Sequence, residues 1–128
     1  NLRHLDGWIA ERKLADERYW ERLDGVPGIR LNAPQKGVRS NYAYFPVVFD
    51  GYKYDRDEVF DRLNKQGIVA RKYFYPITNS FACYRGRPGF DPAATPVAAH
   101  IAACVLTLPL YAGLRTEDVD RICDIILG

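Results

Sequence analysis

The sequence predicts an α/β (α+β) sandwich, a small sheet of three or four strands with helices packed on it. Three observations predict it. Segments with apolar residues at helical spacing alternate with short runs of β-branched and aromatic residues, the pattern of a layered sheet-and-helix domain. The chain has 128 residues, 48% apolar and 27% charged, enough to bury one core without disulfides or metal. No internal repeat or low-complexity tract breaks it up. The pattern leaves parallel and antiparallel pairing open.

The elements follow in order. Residues 1–23 form a charged amphipathic helix with Leu2, Leu5 and Ile9 at helical spacing and the aromatic pair Tyr19 and Trp20. Gly25, Pro27 and Gly28 end it. A short apolar piece, Ile29 to Leu31, leads into a polar loop from Asn32 to Ser40. Tyr42 to Phe49 reads as a strand bounded by Asn41 and Asp50-Gly51. Pro46 lacks a ladder donor, which predicts an edge position or a bulge.

Asp55-Arg56-Asp57-Glu58 has the capping-box arrangement ahead of Val59, Phe60 and Leu63. Gly67 supplies the left-handed stop. Ile68 to Tyr75 is a second strand, ended by Pro76, and an irregular segment runs from Ile77 to Pro92. A helix covers Thr95 to about Cys104, and Val105 to Leu108 makes a third strand. Thr116 caps the last helix, Glu117 and Asp118 complement its dipole, and Val119, Ile122, Cys123 and Ile126 form its buried stripe.

Composition excludes several function classes. Eighteen basic against sixteen acidic residues leave a net charge of +2, too weak a field to argue for nucleic acid or a membrane surface. Cys83, Cys104 and Cys123 are an odd number, widely spaced among apolar neighbours, so neither a disulfide scaffold nor a zinc ribbon is expected and a reducing, cytoplasmic setting fits. The longest apolar stretch, Ile101 to Leu114, is interrupted by Thr107, Pro109 and Gly113 and falls short of the ~20 residues of a membrane helix. Methionine is absent and the first residues read as helix interior, so we expect a piece of a longer protein.

Chemistry-bearing residues are sparse. His100 and Cys104 stand four apart on a helix, but their neighbours Ala98, Ala99, Ile101, Ala102 and Ala103 make a packing surface, and no second ligand pair lies at a usable spacing, so no metal is expected. No G-x-S-x-G turn exists, and Gly86-Arg87-Pro88-Gly89 lacks the lysine and the strand-to-helix context of a phosphate loop. Composition and spacing alone disclose no catalytic centre. One segment stands out: Arg71-Lys72-Tyr73-Phe74-Tyr75-Pro76-Ile77-Thr78-Asn79. Two cations and two phenols end a strand there, where arginine can fork onto a phosphate and tyrosine can offer a ring face and a hydroxyl to a sugar or base. The plain alternative is a half-buried strand whose aromatics pack the core while its cations are solvated.

The same segment carries a family resemblance. Gly67 to Pro76, preceded by Asn41-Tyr42-Ala43-Tyr44-Phe45-Pro46-Val47, resembles the carboxy-terminal domain of the DegT/DnrJ/StrS family of PLP-dependent sugar-nucleotide aminotransferases. Thr95-Pro96-Val97-Ala98 opening a helix, Val105 to Tyr111 beside the family's "vLsLPly" stretch, and Thr116-Glu117-Asp118-Val119 with Ile122 follow in the family's order. The likeness spans essentially the whole chain.

The resemblance implies the small domain of a fold-type I aminotransferase, with 1–24 the connecting helix and 25–128 the sheet-and-helix body. The N-terminal large domain, absent here, would bind pyridoxal 5'-phosphate and supply its lysine, so no catalytic or cofactor-binding residue and no bound cofactor is expected in this chain. The family reaction passes an amino group from glutamate to a keto group on a sugar linked to a nucleoside diphosphate. The full-length enzyme is expected to be a homodimer and this piece alone inactive. Arg71, Tyr73, Tyr75, Thr78 and Asn79 are the residues expected nearest the substrate. Many family members have a histidine where this sequence reads Thr78-Asn79, a departure that leaves the donor to the sugar unassigned. Trp8, Tyr19, Tyr44 or Phe81 are expected to include residues of the interface with the absent domain. Two other readings compete: a stand-alone module presenting the Arg71 to Tyr75 strand to single-stranded RNA, and a structural or dimerising domain in which the tyrosines are core.

Overall fold

The computed structural model describes residues 2–128. Four strands form one antiparallel sheet in the order β1-β2-β4-β3, with β1 at Ile29–Leu31, β2 at Phe45–Phe49, β3 at Arg71–Lys72 and β4 at Val105–Leu108. The helices are α1 (Leu5–Leu23), α2 (Arg56–Lys65), α3 (Pro96–Cys104) and α4 (Thr116–Leu127). The predicted α+β class is the observed one, and the open question of pairing resolves to antiparallel throughout.

Period-two alternation divides the sheet into two faces. Phe45, Val47 and Phe49 of β2 and Leu106 and Leu108 of β4 face the core, where they meet Ala15, Tyr19 and Leu23 of α1, Val59 and Leu63 of α2, and Val119, Ile122, Cys123 and Ile126 of α4. Each fully buried aliphatic side chain here contributes about 1.5–3 kcal/mol. The other face carries α3, because Asp50, on the same side of the chain as Pro46 and Val48, meets His100 of that helix.

The first turn corrects the N-terminal prediction. Leu2–His4 is a 3-10 turn, and the helix starts at Leu5; Asn1 lies outside the described residues. Leu2 and Leu5 are exposed rather than packed, and the inward stripe is Ala15, Tyr19 and Leu23. Two arginines then clamp α1 to α4: Arg18 Nε and Arg22 Nη1 reach Asp120 at 2.8 and 2.6 Å, and Arg22 Nη2 reaches Asp124 at 2.6 Å. Their hydrogen bonds hold the Asp120 carboxyl below the usual carboxylate range.

Gly28 turns the chain into β1 at φ +80°, and a Cβ there would sit 2.2 Å from the Tyr52 backbone nitrogen, so only glycine fits. Strand β2 is shorter than the predicted Tyr42–Phe49, because Tyr42 adopts a left-handed φ of +51° that no strand accommodates. It also lies inside the sheet rather than at an edge, with Pro46 opposite Thr107. The Asp50 N–H donates to Gly28 C=O at 2.9 Å, so even-numbered residues of β2 direct their hydrogen bonds toward β1. The donor missing at Pro46 therefore falls where β1 has already ended at Leu31, and no ladder bond is lost.

Helix α2 follows its sequence signals closely. Asp55 Oδ1 accepts from the N–H groups of Asp57 and Glu58 at 2.8 Å, and Glu58 Oε2 accepts from the Asp55 N–H at 2.8 Å. At its other end the N–H groups of Gly67 and Ile68 donate to Asn64 and Leu63, a Schellman closure around Gly67 at φ +73°. The predicted strand Ile68–Tyr75 contracts to the two residues of β3, because Phe74 turns left-handed at φ +47° and ends the pairing. Thr116 is the first residue of α4 and not its cap; Arg115 holds the cap position and binds Asp118 through its own side chain at 3.0 Å.

Candidate functional site

Strand β3, Arg71–Lys72, forms the outer edge of the sheet and leads into the turn at Tyr73–Tyr75. Arg71 pairs with Thr107 and Lys72 with Leu106, so β4 fixes the position of both. Arg71 points away from the core and is exposed, whereas Lys72 lies half-buried over the ring of Phe60 with its Nζ 2.6 Å from Asp57 Oδ1. The Lys72 hydrogen bond, reinforced by the charge of Arg56, holds the Asp57 carboxyl below its ordinary value. Lys72 is therefore a structural cation and not a solvated one.

Beyond β3 three aromatic rings emerge together. Tyr73 contacts Phe74 at 4.2 Å between centroids and Tyr44 at 5.8 Å, while Phe74 and Tyr44 are 74% and 57% exposed. Tyr75 is 52% exposed, yet the guanidinium of Arg56 lies 4.5 Å beneath its ring. Arg56 itself is 3% exposed and donates through Nη1 to Ala102 C=O at 3.0 Å, at the end of α3. One face of Tyr75 is thus occupied by a fixed cation.

The structure brings Arg71, Tyr73 and Tyr75 to one sheet end and treats Thr78 and Asn79 differently. Both follow the cis peptide bond before Pro76, in a 3-10 turn from Thr78 to Ser80. Thr78 is exposed. Asn79 turns its amide inward, donating through Nδ2 to Thr95 Oγ1 at 2.9 Å and to Asp91 C=O at 3.2 Å, which ties the 77–95 loop to the start of α3. A ligand would find the Asn79 donor already committed.

Arg56 has a sequence signal that points to its role. A cation in the first turn of a helix opposes the macrodipole, and such a local conflict marks a residue held there by tertiary contacts. Of the four aromatics expected at an interface, Trp8, Tyr44 and Phe81 are exposed. Tyr19 is not. It stacks on Phe45 at 4.7 Å and donates to Pro109 C=O at 3.0 Å, in the core.

A cleft of about 700 Å³ adjoins the aromatic group, lined in part by Asp16, Trp20, Asn41, Tyr42 and Tyr44. Burial, with a smaller contribution from Glu17, pushes the Asp16 carboxyl up to about 6. Two further clefts lie beside Ile68 and Tyr111 and beside Arg85 and Phe90.

Comparison with known proteins decides the family. The model of the DegT/DnrJ/EryC1/StrS aminotransferase family matches residues 1–127. The chain belongs to that family. It is 38% identical over 128 residues to a dTDP-4-amino-4,6-dideoxy-D-glucose transaminase of Escherichia coli, a match covering 99% of this chain and 34% of that protein. Among solved structures, DesI in the presence of its TDP-sugar product superposes with a TM-score of 0.86 at 27% identity, over 98% of this chain and 32% of that one. The protein Spr1654 of Streptococcus pneumoniae in its PMP form gives 0.84 at 26% identity, over 96% and 31%. The chain therefore spans about a third of the length of the relatives it matches. No described helix is long and apolar enough to cross a membrane.

Proposed function

We propose that this chain is the carboxy-terminal small domain of a PLP-dependent aminotransferase that carries an amino group from glutamate to a keto sugar linked to a nucleoside diphosphate. By this proposal the cofactor and its lysine belong to the rest of the protein, the complete enzyme is a homodimer, and the chain by itself has no turnover. Its own contribution is to wall and orient the substrate. Arg71 supplies a fork for a phosphate or sugar oxygen, and Tyr73 and Tyr75 supply ring faces and hydroxyls. Thr78 offers a hydroxyl, and Asn79 holds the turn that presents it.

The observation that carries this reading is the pairing of exposure with rigidity at Tyr75. Its ring is half open to solvent, yet a buried guanidinium fixes it from below. A fixed aromatic loses little entropy when a ligand binds it. The Escherichia coli dTDP-4-amino-4,6-dideoxy-D-glucose transaminase and DesI with its TDP-sugar product support the substrate class.

The test uses the full-length enzyme with Tyr75→Leu and Arg71→Gln. Each is expected to raise the KM for the nucleotide-linked keto sugar roughly tenfold, about 1.4 kcal/mol of binding, with the KM for glutamate unchanged. Unaltered sugar constants in both variants reject the assignment.

A further inference from the structure

The end of β2 and the last turn of α3 bring together three side chains that the proposed substrate surface does not use. Asp50 directly follows β2, on the side of the chain opposite the core, and His100 and Cys104 project from α3 one turn apart. One ligand atom from each lies within 4.8 Å of the other two. His100 Nε2 is 3.0 Å from Asp50 Oδ2. The sequence shows only the His100/Cys104 pair, because the third member is fifty positions away.

We propose that Asp50, His100 and Cys104 form a binding site for a zinc ion. A carboxylate, an imidazole and a thiolate are a donor set that zinc accepts, with a fourth position left for water. Zinc bonds of about 2.0–2.3 Å at tetrahedral angles set neighbouring ligand atoms roughly 3.3–3.8 Å apart. The Asp50–His100 pair is already near that separation, and Cys104 closes the remainder by a shift of at most about 1 Å.

Charge and position agree with this chemistry. A carboxylate and a thiolate neutralise the two positive charges, and the thiol proton leaves to solvent as the metal binds. His100 and Cys104 occupy the C-terminal turn of α3, whose dipole favours a cation. Arg30 Nη2 also touches Asp50 Oδ2, at 3.2 Å, but it is an exposed partner that can swing into solvent. The site is open rather than enclosed, so we expect a rapidly exchanging ion of moderate affinity. It stands independently of the aminotransferase reading.

The test is a titration of the reduced, chelator-stripped protein carrying this chain with Co²⁺, followed by Zn²⁺ displacement. Expected are visible d–d bands of tetrahedral cobalt, a near-ultraviolet thiolate-to-cobalt band, and loss of both when zinc is added. Cys104→Ser should abolish the thiolate band, and His100→Asn and Asp50→Asn should weaken zinc binding at least tenfold by calorimetry. Cys83→Ser should leave all signals intact, and circular dichroism should show every variant folded. Absence of the bands overturns the proposal. So does a signal that survives Cys104→Ser and His100→Asn, or one that disappears with Cys83→Ser.

Discussion

Arg56 lies beneath Tyr75 with its guanidinium carbon 4.5 Å from the ring centroid, so the most buried cation of the domain supports one of its most exposed candidate ligand-binding rings. Three contacts offset the cost of burying that charge at a helix N-terminus. Nη1 donates to Ala102 C=O at 3.0 Å, Asp57 Oδ1 lies 2.7 Å from Nε, and Tyr75 caps the plane. The Nε–Asp57 approach is close in distance but misaligned, so Nε has no hydrogen-bond acceptor. Asp57 therefore acts here mainly as a nearby charge, and it shares its oxygen with Lys72.

Removing this cation should be costly even though the site is on no catalytic residue. Arg56→Ala leaves Ala102 C=O unpaired and a void under Tyr75, and we expect a loss of about 2–3 kcal/mol in urea unfolding. Arg56→Lys should recover only part of it, because an ammonium neither stacks nor forks. A change below about 0.5 kcal/mol for Arg56→Ala would remove Arg56 as a support.

Tyr19→Phe isolates one part-buried hydrogen bond. The ring keeps its stacking on Phe45, while Pro109 C=O loses its donor. An unpaired acceptor that is only half-buried costs about 1 kcal/mol, the low end of the range for a fully buried one. We expect a fall in stability of that size with unchanged secondary structure by circular dichroism, and equality with the parent chain would show that water replaces the hydroxyl.

Asp16 makes stability depend on pH with a definite sign. Burial raises its folded-state value to about 6 from 3.8, so the folded chain holds a proton that the unfolded chain releases earlier. The contribution is fully present below the unfolded value and is lost as pH rises through about 6. Asp16→Asn should therefore stabilise the protein at pH 7.5, by roughly 1 kcal/mol after solvent screening, and have no such effect near pH 3.5. Thermal unfolding at the two pH values checks it; a gain of the same size at both would contradict the assignment.

Asp55→Ala tests the capping box. It removes both acceptor contacts to the first turn of α2 and should lower stability by about 1–2 kcal/mol, whereas Asp55→Asn should cost less. Amide exchange of Asp57 and Glu58 reports the loss locally, and unchanged protection of both would mean that the cap contributes nothing.

The sequence by itself determined the elements whose signals are local. The Asp55–Glu58 box, the Gly67 stop and the Val119/Ile122/Cys123/Ile126 stripe appear in the structure where the spacing puts them, because caps and helical periodicity are settled within a few neighbouring residues. It also marked the Arg71–Asn79 segment, since a concentration of cations and phenols within nine residues is a short-range property. Only the tertiary structure decided which strand lies beside which, and that choice made Pro46 an interior residue whose missing donor faces the end of β1. It likewise cut the predicted strands short at Tyr42 and Phe74, committed Asn79 to Thr95, buried Arg56 and set Asp50 against His100 and Cys104. The physical reason is common to all of these: each depends on the free energy of contacts between residues many positions apart, which no local pattern of apolarity or turn chemistry encodes.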